Sequence, residues 1–128
     1  MKCKKILLVD DDIDDRLIFE QILQEIDPGI RMASAENGLE MIDHLDNSSG
    51  EDLPGLIILD QNMPRMTGKE SLVFLKQSSR YQHIPIIIYS TFQVKDFFRE
   101  CLEMGALDVV SKPDTIQSYR DMINRFFK

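Results

Sequence analysis

The sequence predicts an α/β domain, an open parallel sheet with helices on both faces. Three observations lead there. Ile6-Leu7-Leu8-Val9, Leu56-Ile57-Ile58-Leu59 and Ile86-Ile87-Ile88-Tyr89 are short apolar runs that end abruptly in polar residues. Unbroken β-branched runs of this length suit central strands covered on both faces. Strand and helix patterns then alternate five times, which right-handed crossovers turn into a parallel sheet.

Each element has its own signal. Ile6 to Val9 is the first strand, followed by a helix marked by Ile13, Leu17, Ile18, Ile22 and Ile26 and closed by Pro28-Gly29. Ile30 to Ala35 is a less apolar run, as expected at a sheet edge. Leu39, Ile42 and Leu45 mark a second helix, opened after Gly38, and a polar connection from Asn47 to Gly55 leads into the central run ending at Leu59. Leu72, Phe74 and Leu75 mark the third helix. Val94, Phe97, Phe98, Cys101 and Leu102 mark the fourth, with Gly105 placed to end it. Leu107 to Ser111 is the second edge candidate, and Ile116, Tyr119, Ile123 and Phe126 mark the last helix.

Length and composition narrow the function classes. The 128 residues fit one domain, 43% of them hydrophobic and 29% charged, as in a soluble globular protein. The formal net charge of −7 argues against nucleic acid as a partner, which would call for a basic stripe. Lys2, Lys4 and Lys5 read as a solvated lead-in to the first strand. Cys3 and Cys101 have no metal-ligand spacing and read as idle thiols in a reducing compartment. The first apolar run is too short for a secretory signal or a membrane span, so a cytoplasmic location is expected.

In a parallel sheet, ligands bind beyond the carboxyl ends of the strands. Here those ends carry Asp10-Asp11-Asp12, Asp60, Ser90-Thr91 and Lys112-Pro113. Clustered carboxylates on an apolar rim repel one another and call for a cation. Oxygen ligands with open positions suit Mg²⁺, often shared with phosphate. Asp60 is then placed to act as a nucleophile toward phosphorus, forming an aspartyl phosphate. Lys112 and the Ser90 hydroxyl are placed to contact phosphoryl oxygens. Asp12, Asp14 and Asp15 read instead as first-turn acids that suit the helix dipole.

Two other acidic motifs fit less well. A calcium loop starting at Asp10 needs Gly at position 15 and Glu at position 21, where the chain has Asp15 and Gln21. A haloacid-dehalogenase-like phosphatase accounts for Asp10 and Asp12 but leaves Asp60 without a role.

With these residues in view, the chain resembles the receiver domain of bacterial two-component response regulators, over nearly its whole length. The most specific stretch is Leu59-Asp60-Gln61-Asn62-Met63-Pro64-Arg65-Met66-Thr67-Gly68, joined by Ser90-Thr91, Gly105-Ala106 and Ser111-Lys112-Pro113. The resemblance implies a flavodoxin-like (βα)5 fold with strand order 2-1-3-4-5. It implies Asp60 as phospho-acceptor, Ser90 as switch hydroxyl and Lys112 as phosphoryl contact. Mg²⁺ would be held by Asp11, Asp60 and the backbone carbonyl of Asn62, with Asp10 acting through water. The Lys112-Pro113 bond would be cis. Such a domain is a switch that takes part in its own phosphorylation and dephosphorylation, not an enzyme with a separate substrate.

The chain departs from the family pattern at Val109, where an aromatic partner of the switch hydroxyl is common, and at Asp114, often Phe. Tyr89 or Phe92 is the candidate to report the phosphoryl state in place of that aromatic. Phe92 is also expected to flank the phosphorylation site and slow loss of the phosphoryl group. Residues 1–128 are expected to be a single receiver domain with no output domain. Its partners would be a sensor histidine kinase or phosphotransfer protein and an unknown downstream protein target, with no nucleic acid and no membrane. Phe97, Phe98, Met104, Tyr119 and Phe127 exceed one core stripe. They suggest a partner or homodimer patch on the fourth helix, fifth strand and fifth helix. The rival reading from another class is a receiver-like scaffold that binds partners without phosphorylation.

Overall fold

A computed structural model describes residues 4–91 and 95–127. Five parallel strands, β1 (Lys5–Val9), β2 (Arg31–Ala35), β3 (Leu56–Asp60), β4 (Ile86–Ser90) and β5 (Asp108–Ser111), lie in the order β2-β1-β3-β4-β5. Five helices connect and follow them: α1 (Ile13–Ile26), α2 (Gly38–Asp46), α3 (Gly68–Gln77), α4 (Lys95–Glu103) and α5 (Ile116–Phe127). The fold is flavodoxin-like, and the strand order is the expected one.

Period-two alternation along the central strands feeds two cores. Leu7, Val9, Ile57, Leu59, Ile86 and Ile88 face α2, α3 and α4, where they meet Met41, Leu45, Leu72, Leu75 and Cys101. Ile6, Leu8, Leu56, Ile58, Ile87 and Tyr89 face α1 and α5, where they meet Phe19, Ile22, Leu23, Tyr119 and Ile123. Phe19 and Tyr119 meet edge to face at 6.5 Å, joining α1 to α5, a geometry worth about 1 kcal/mol beyond burial.

Local chemistry sets the helix ends. The Asp12 side chain caps α1 by accepting from the backbone N–H groups of Asp14 and Asp15, as expected of an acidic first turn. Thr67 and Glu70 form a reciprocal capping box that starts α3. After α4 the chain turns through Gly105 at φ 105°, a left-handed conformation that side chains resist.

Several sequence expectations change. Ile13 and Leu17 are 60% and 57% exposed, so the buried face of α1 is Phe19, Ile22 and Leu23. Both stripes obey helical spacing, and the position of α5 decides which one is covered. Leu39, Leu102 and Ile116 are exposed too, while Met41, Met122 and Phe127 take core places. Tyr119 and Phe127 are buried, and Phe97, Phe98 and Met104 pack half-buried against the core, so only the last three of these five stay partly open on this face. Among the described residues no peptide bond is cis, Lys112-Pro113 included; Lys112 reaches Asp60 with the ordinarily favoured trans bond. Val94 and Phe92 lie outside the described residues, as does Cys3. No described helix is long and apolar enough to cross a membrane.

Candidate functional site

Parallel register brings the strand ends together. Val9 pairs with Leu59, and Asp60 pairs with Tyr89, so Asp10 and Asp60 leave neighbouring strands side by side. Both carboxylates are buried, 0% and 1% exposed, while Asp11 is exposed. Asp10, Asp11 and Asp60 each offer an oxygen within 4.8 Å of the others.

Lys112 closes the pocket from the end of β5. Its Nζ lies 2.9 Å from Asp60 Oδ2, 3.1 Å from Asp15 Oδ2 and 3.5 Å from Asp10. The Lys112 backbone N–H donates to the Ser90 carbonyl at 2.9 Å, which ties β5 to β4 at the rim. Ser90 itself is buried at the end of β4. The Asn62 backbone N–H donates to Asp60 Oδ1 at 3.1 Å, and the Asn62 side chain donates to Thr91 Oγ1 at 2.8 Å. The sequence-derived residues Asp10, Asp11, Asp60, Asn62, Ser90 and Lys112 thus share one rim.

Three contacts at the rim go beyond the strand-end pattern. Asp15 is more than a first-turn acid, since it pairs with Lys112 from the first turn of α1. Arg16 donates to the Asp10 carbonyl at 2.5 Å. Tyr89 is wholly buried, and its hydroxyl donates to Asp10 Oδ2 at 2.6 Å. Burial, with the charge of Asp10 and that hydrogen bond, drives the Tyr89 phenol far above its ordinary range, so it stays a donor. In this conformation the Tyr89 ring lies wholly within the core. Val109 is buried in the other core, against α4.

The electrostatics express an excess of anion. Burial pushes the Asp60 carboxyl up to about 6, against hydrogen bonds from Lys112 and Asn62, and the charge of Asp10 adds to the rise. For Lys112 burial alone would lower the ammonium, but Asp60, Asp10 and Asp15 hold it above its ordinary range. Four carboxylates and one ammonium therefore share the site. Hard oxygen donors with surplus negative charge fit Mg²⁺ and would be relieved by it.

A pH dependence follows from Asp60. Its folded value lies above the ordinary 3.8, so without metal the folded state holds this proton more tightly than the unfolded chain. That contribution is fully present below the ordinary value and is lost as pH rises through about 6. Asp60→Asn is expected to remove a loss of about 2–3 kcal/mol across that window. Urea unfolding in a metal chelator from pH 4 to 7 would check it, the difference between wild type and variant isolating Asp60.

Comparison with known proteins is consistent with this rim. The family described as the response regulator receiver domain matches residues 6–124. The two-component response regulator ORR12 of Oryza sativa subsp. japonica is 30% identical over 124 residues, covering 97% of this chain and 98% of the relative. ARR17 of Arabidopsis thaliana, also a two-component response regulator, is 34% identical, covering 84% of this chain and 74% of its own. Among solved structures, the Mn²⁺-bound form of response regulator Rcp1 superposes with a TM-score of 0.83 at 25% identity, covering 96% of this chain and 93% of that one. The chemotaxis response regulator CheY4 of Vibrio cholerae gives a TM-score of 0.79 at 27% identity, covering 97% and 98%.

Proposed function

The chain belongs to the response regulator receiver domain family of two-component signalling, and on that premise we propose that it is a phosphoryl-accepting switch acting through Asp60. The observation that carries this is the contact of buried Asp60 with Lys112 at 2.9 Å, beside the acids Asp10 and Asp11. A buried carboxylate at a strand tip, next to a cation and an anionic pocket, suits attack on phosphorus.

The donor is a phosphohistidine of a sensor histidine kinase or phosphotransfer protein. An Asp60 carboxylate oxygen forms the new P–O bond while the P–N bond to the donor imidazole breaks, its electron pair staying on nitrogen. Lys112 then turns from the Asp60 carboxylate toward a phosphoryl oxygen, and the Ser90 hydroxyl donates to another. Asp11, Asp60 and the Asn62 carbonyl would hold Mg²⁺, with Asp10 acting through water. Bound there, Mg²⁺ supplies charge neutralisation for the phosphoryl oxygens. Mn²⁺ in the related Rcp1 supports a divalent site.

The 128 residues act as one receiver domain whose output is binding to a downstream protein, in the cytoplasm. A phosphate that favours one state by a few kcal/mol suffices for switching. The reduced apolar surplus on α4, β5 and α5 leaves Phe97, Phe98 and Met104 as the core of any homodimer patch there.

Acetyl phosphate is the direct test. Intact-mass measurement with Mg²⁺ is expected to show one added phosphoryl group, absent in a chelator and absent in Asp60→Asn. No adduct from acetyl phosphate or from a phosphorylated histidine donor would favour the constitutive scaffold instead.

A further inference from the structure

Asp10 has two carboxylate oxygens, and the protein engages both. Oδ1 accepts the Asp12 backbone N–H at 3.0 Å, and Oδ2 accepts the Tyr89 hydroxyl at 2.6 Å. Lys112 stands at 3.5 Å from Asp10, long for a direct hydrogen bond, and lies closer to Asp60 and Asp15. Tyr89 is therefore the short side-chain donor to a carboxylate that is 0% exposed. Its ring is locked in the core that α1 and α5 cover, with the Lys112 ammonium 5.5 Å from its centroid.

We propose that Tyr89 is a positioning residue that occupies one oxygen of Asp10 with a hydrogen bond and so weakens the pocket's hold on Mg²⁺. This rests on the reading of Asp10, Asp11 and Asp60 as a Mg²⁺ site. A hydrogen bond to a carboxylate draws charge from it, as a cation does, so donor and cation compete for the same anion. With the donor in place, Asp10 is compensated before metal arrives and has one oxygen, already shared with Asp12, left to turn toward a metal-bound water. Without it, Asp10 carries more uncompensated charge beside Asp11 and Asp60. The metal-free fold is then less stable, and binding a divalent cation relieves more repulsion.

The test is titration with Mg²⁺ alone, followed by amide NMR shifts, on wild type, Tyr89→Phe, Asp10→Asn and the double variant. Tyr89→Phe keeps the ring and removes only the hydroxyl. It is expected to bind Mg²⁺ about three- to tenfold more tightly, a tenfold change being about 1.4 kcal/mol, and to unfold more easily in a chelator. In the Asp10→Asn background the same change is expected to leave affinity unaltered, which a purely packing role would not produce. Unchanged or weaker Mg²⁺ binding by Tyr89→Phe overturns the proposal, as does an equal gain in both backgrounds. If Tyr89→Phe is unfolded without metal, folding driven by Mg²⁺ supports the proposal and failure at saturating Mg²⁺ overturns it. Wild type that shows no saturable Mg²⁺ binding removes the metal reading itself, and the proposal falls with it.

Discussion

Lys112→Met is expected to slow phosphorylation of the chain by acetyl phosphate about 100-fold, the scale of losing one preorganised charge-stabilising donor. It is also expected to cost about 2–3 kcal/mol of stability without Mg²⁺. The Lys112 side chain is only 12% exposed and stands among Asp60, Asp15 and Asp10. Removing one partner of a buried ion pair costs about 3–5 kcal/mol, because the other charge is stranded. The smaller figure is used because Asp60, whose carboxyl already sits near 6, can take up a proton. Mg²⁺ would restore part of the stability but not the rate, since it replaces the charge without reaching the oxygen that Lys112 contacts. Urea unfolding with and without Mg²⁺, together with adduct formation followed by intact mass, separates the two effects.

Gly68→Ala is the second large effect, and its cause is space. A Cβ built on Gly68 would lie 2.7 Å from the Asp60 carbonyl oxygen and 3.0 Å from Gln61 Cα. Both are backbone atoms, so no side-chain rotation relieves the clash. The Gly68 N–H also donates to the Gln61 carbonyl, and Gln61 Oε1 accepts from the Lys69 N–H, pinning the start of α3 against the acceptor loop. An alanine in a helix is ordinarily favoured over glycine by about 1 kcal/mol. Here overpacking is expected to win and to destabilise the protein by about 2–3 kcal/mol. Because the clash is with Asp60 itself, phosphorylation should fall along with stability. Gly50→Ala, with nothing within 4 Å of the added methyl, is the matched control and should change stability by less than about 0.5 kcal/mol. Denaturant unfolding of the two variants checks both statements.

How much of this was legible in the sequence depends on the range of the signal. The rim position of Asp60 is readable because an abrupt end to an apolar run marks a strand tip; Lys112 follows a weaker edge strand, and parallel topology gathers both tips at one rim. The edge strands were readable from their lower hydrophobicity, and Gly105 from its place after a helix. The face of α1 was legible only in part. Ile18, Ile22 and Ile26 do pack against the core, whereas Ile13 and Leu17 are exposed and Phe19 and Leu23 are buried in the core. In the sequence Tyr89 is the last residue of an apolar strand and a candidate reporter. Its hydroxyl meets Asp10 because of a register between distant strands, and no local pattern encodes that. Asp15 reads in the sequence as a first-turn acid suited to the helix dipole, and the same position lets it reach Lys112.

The identity of the acceptor is tested most directly by trapping. Wild type is phosphorylated with acetyl phosphate and Mg²⁺, reduced with borohydride, digested and sequenced by mass spectrometry. An aspartyl phosphate reduces to homoserine, so homoserine is expected at position 60 and nowhere else. Homoserine at position 10 or 11 with Asp60 intact, or no trapped residue in a protein that carries the phosphoryl mass, would contradict Asp60 as the acceptor.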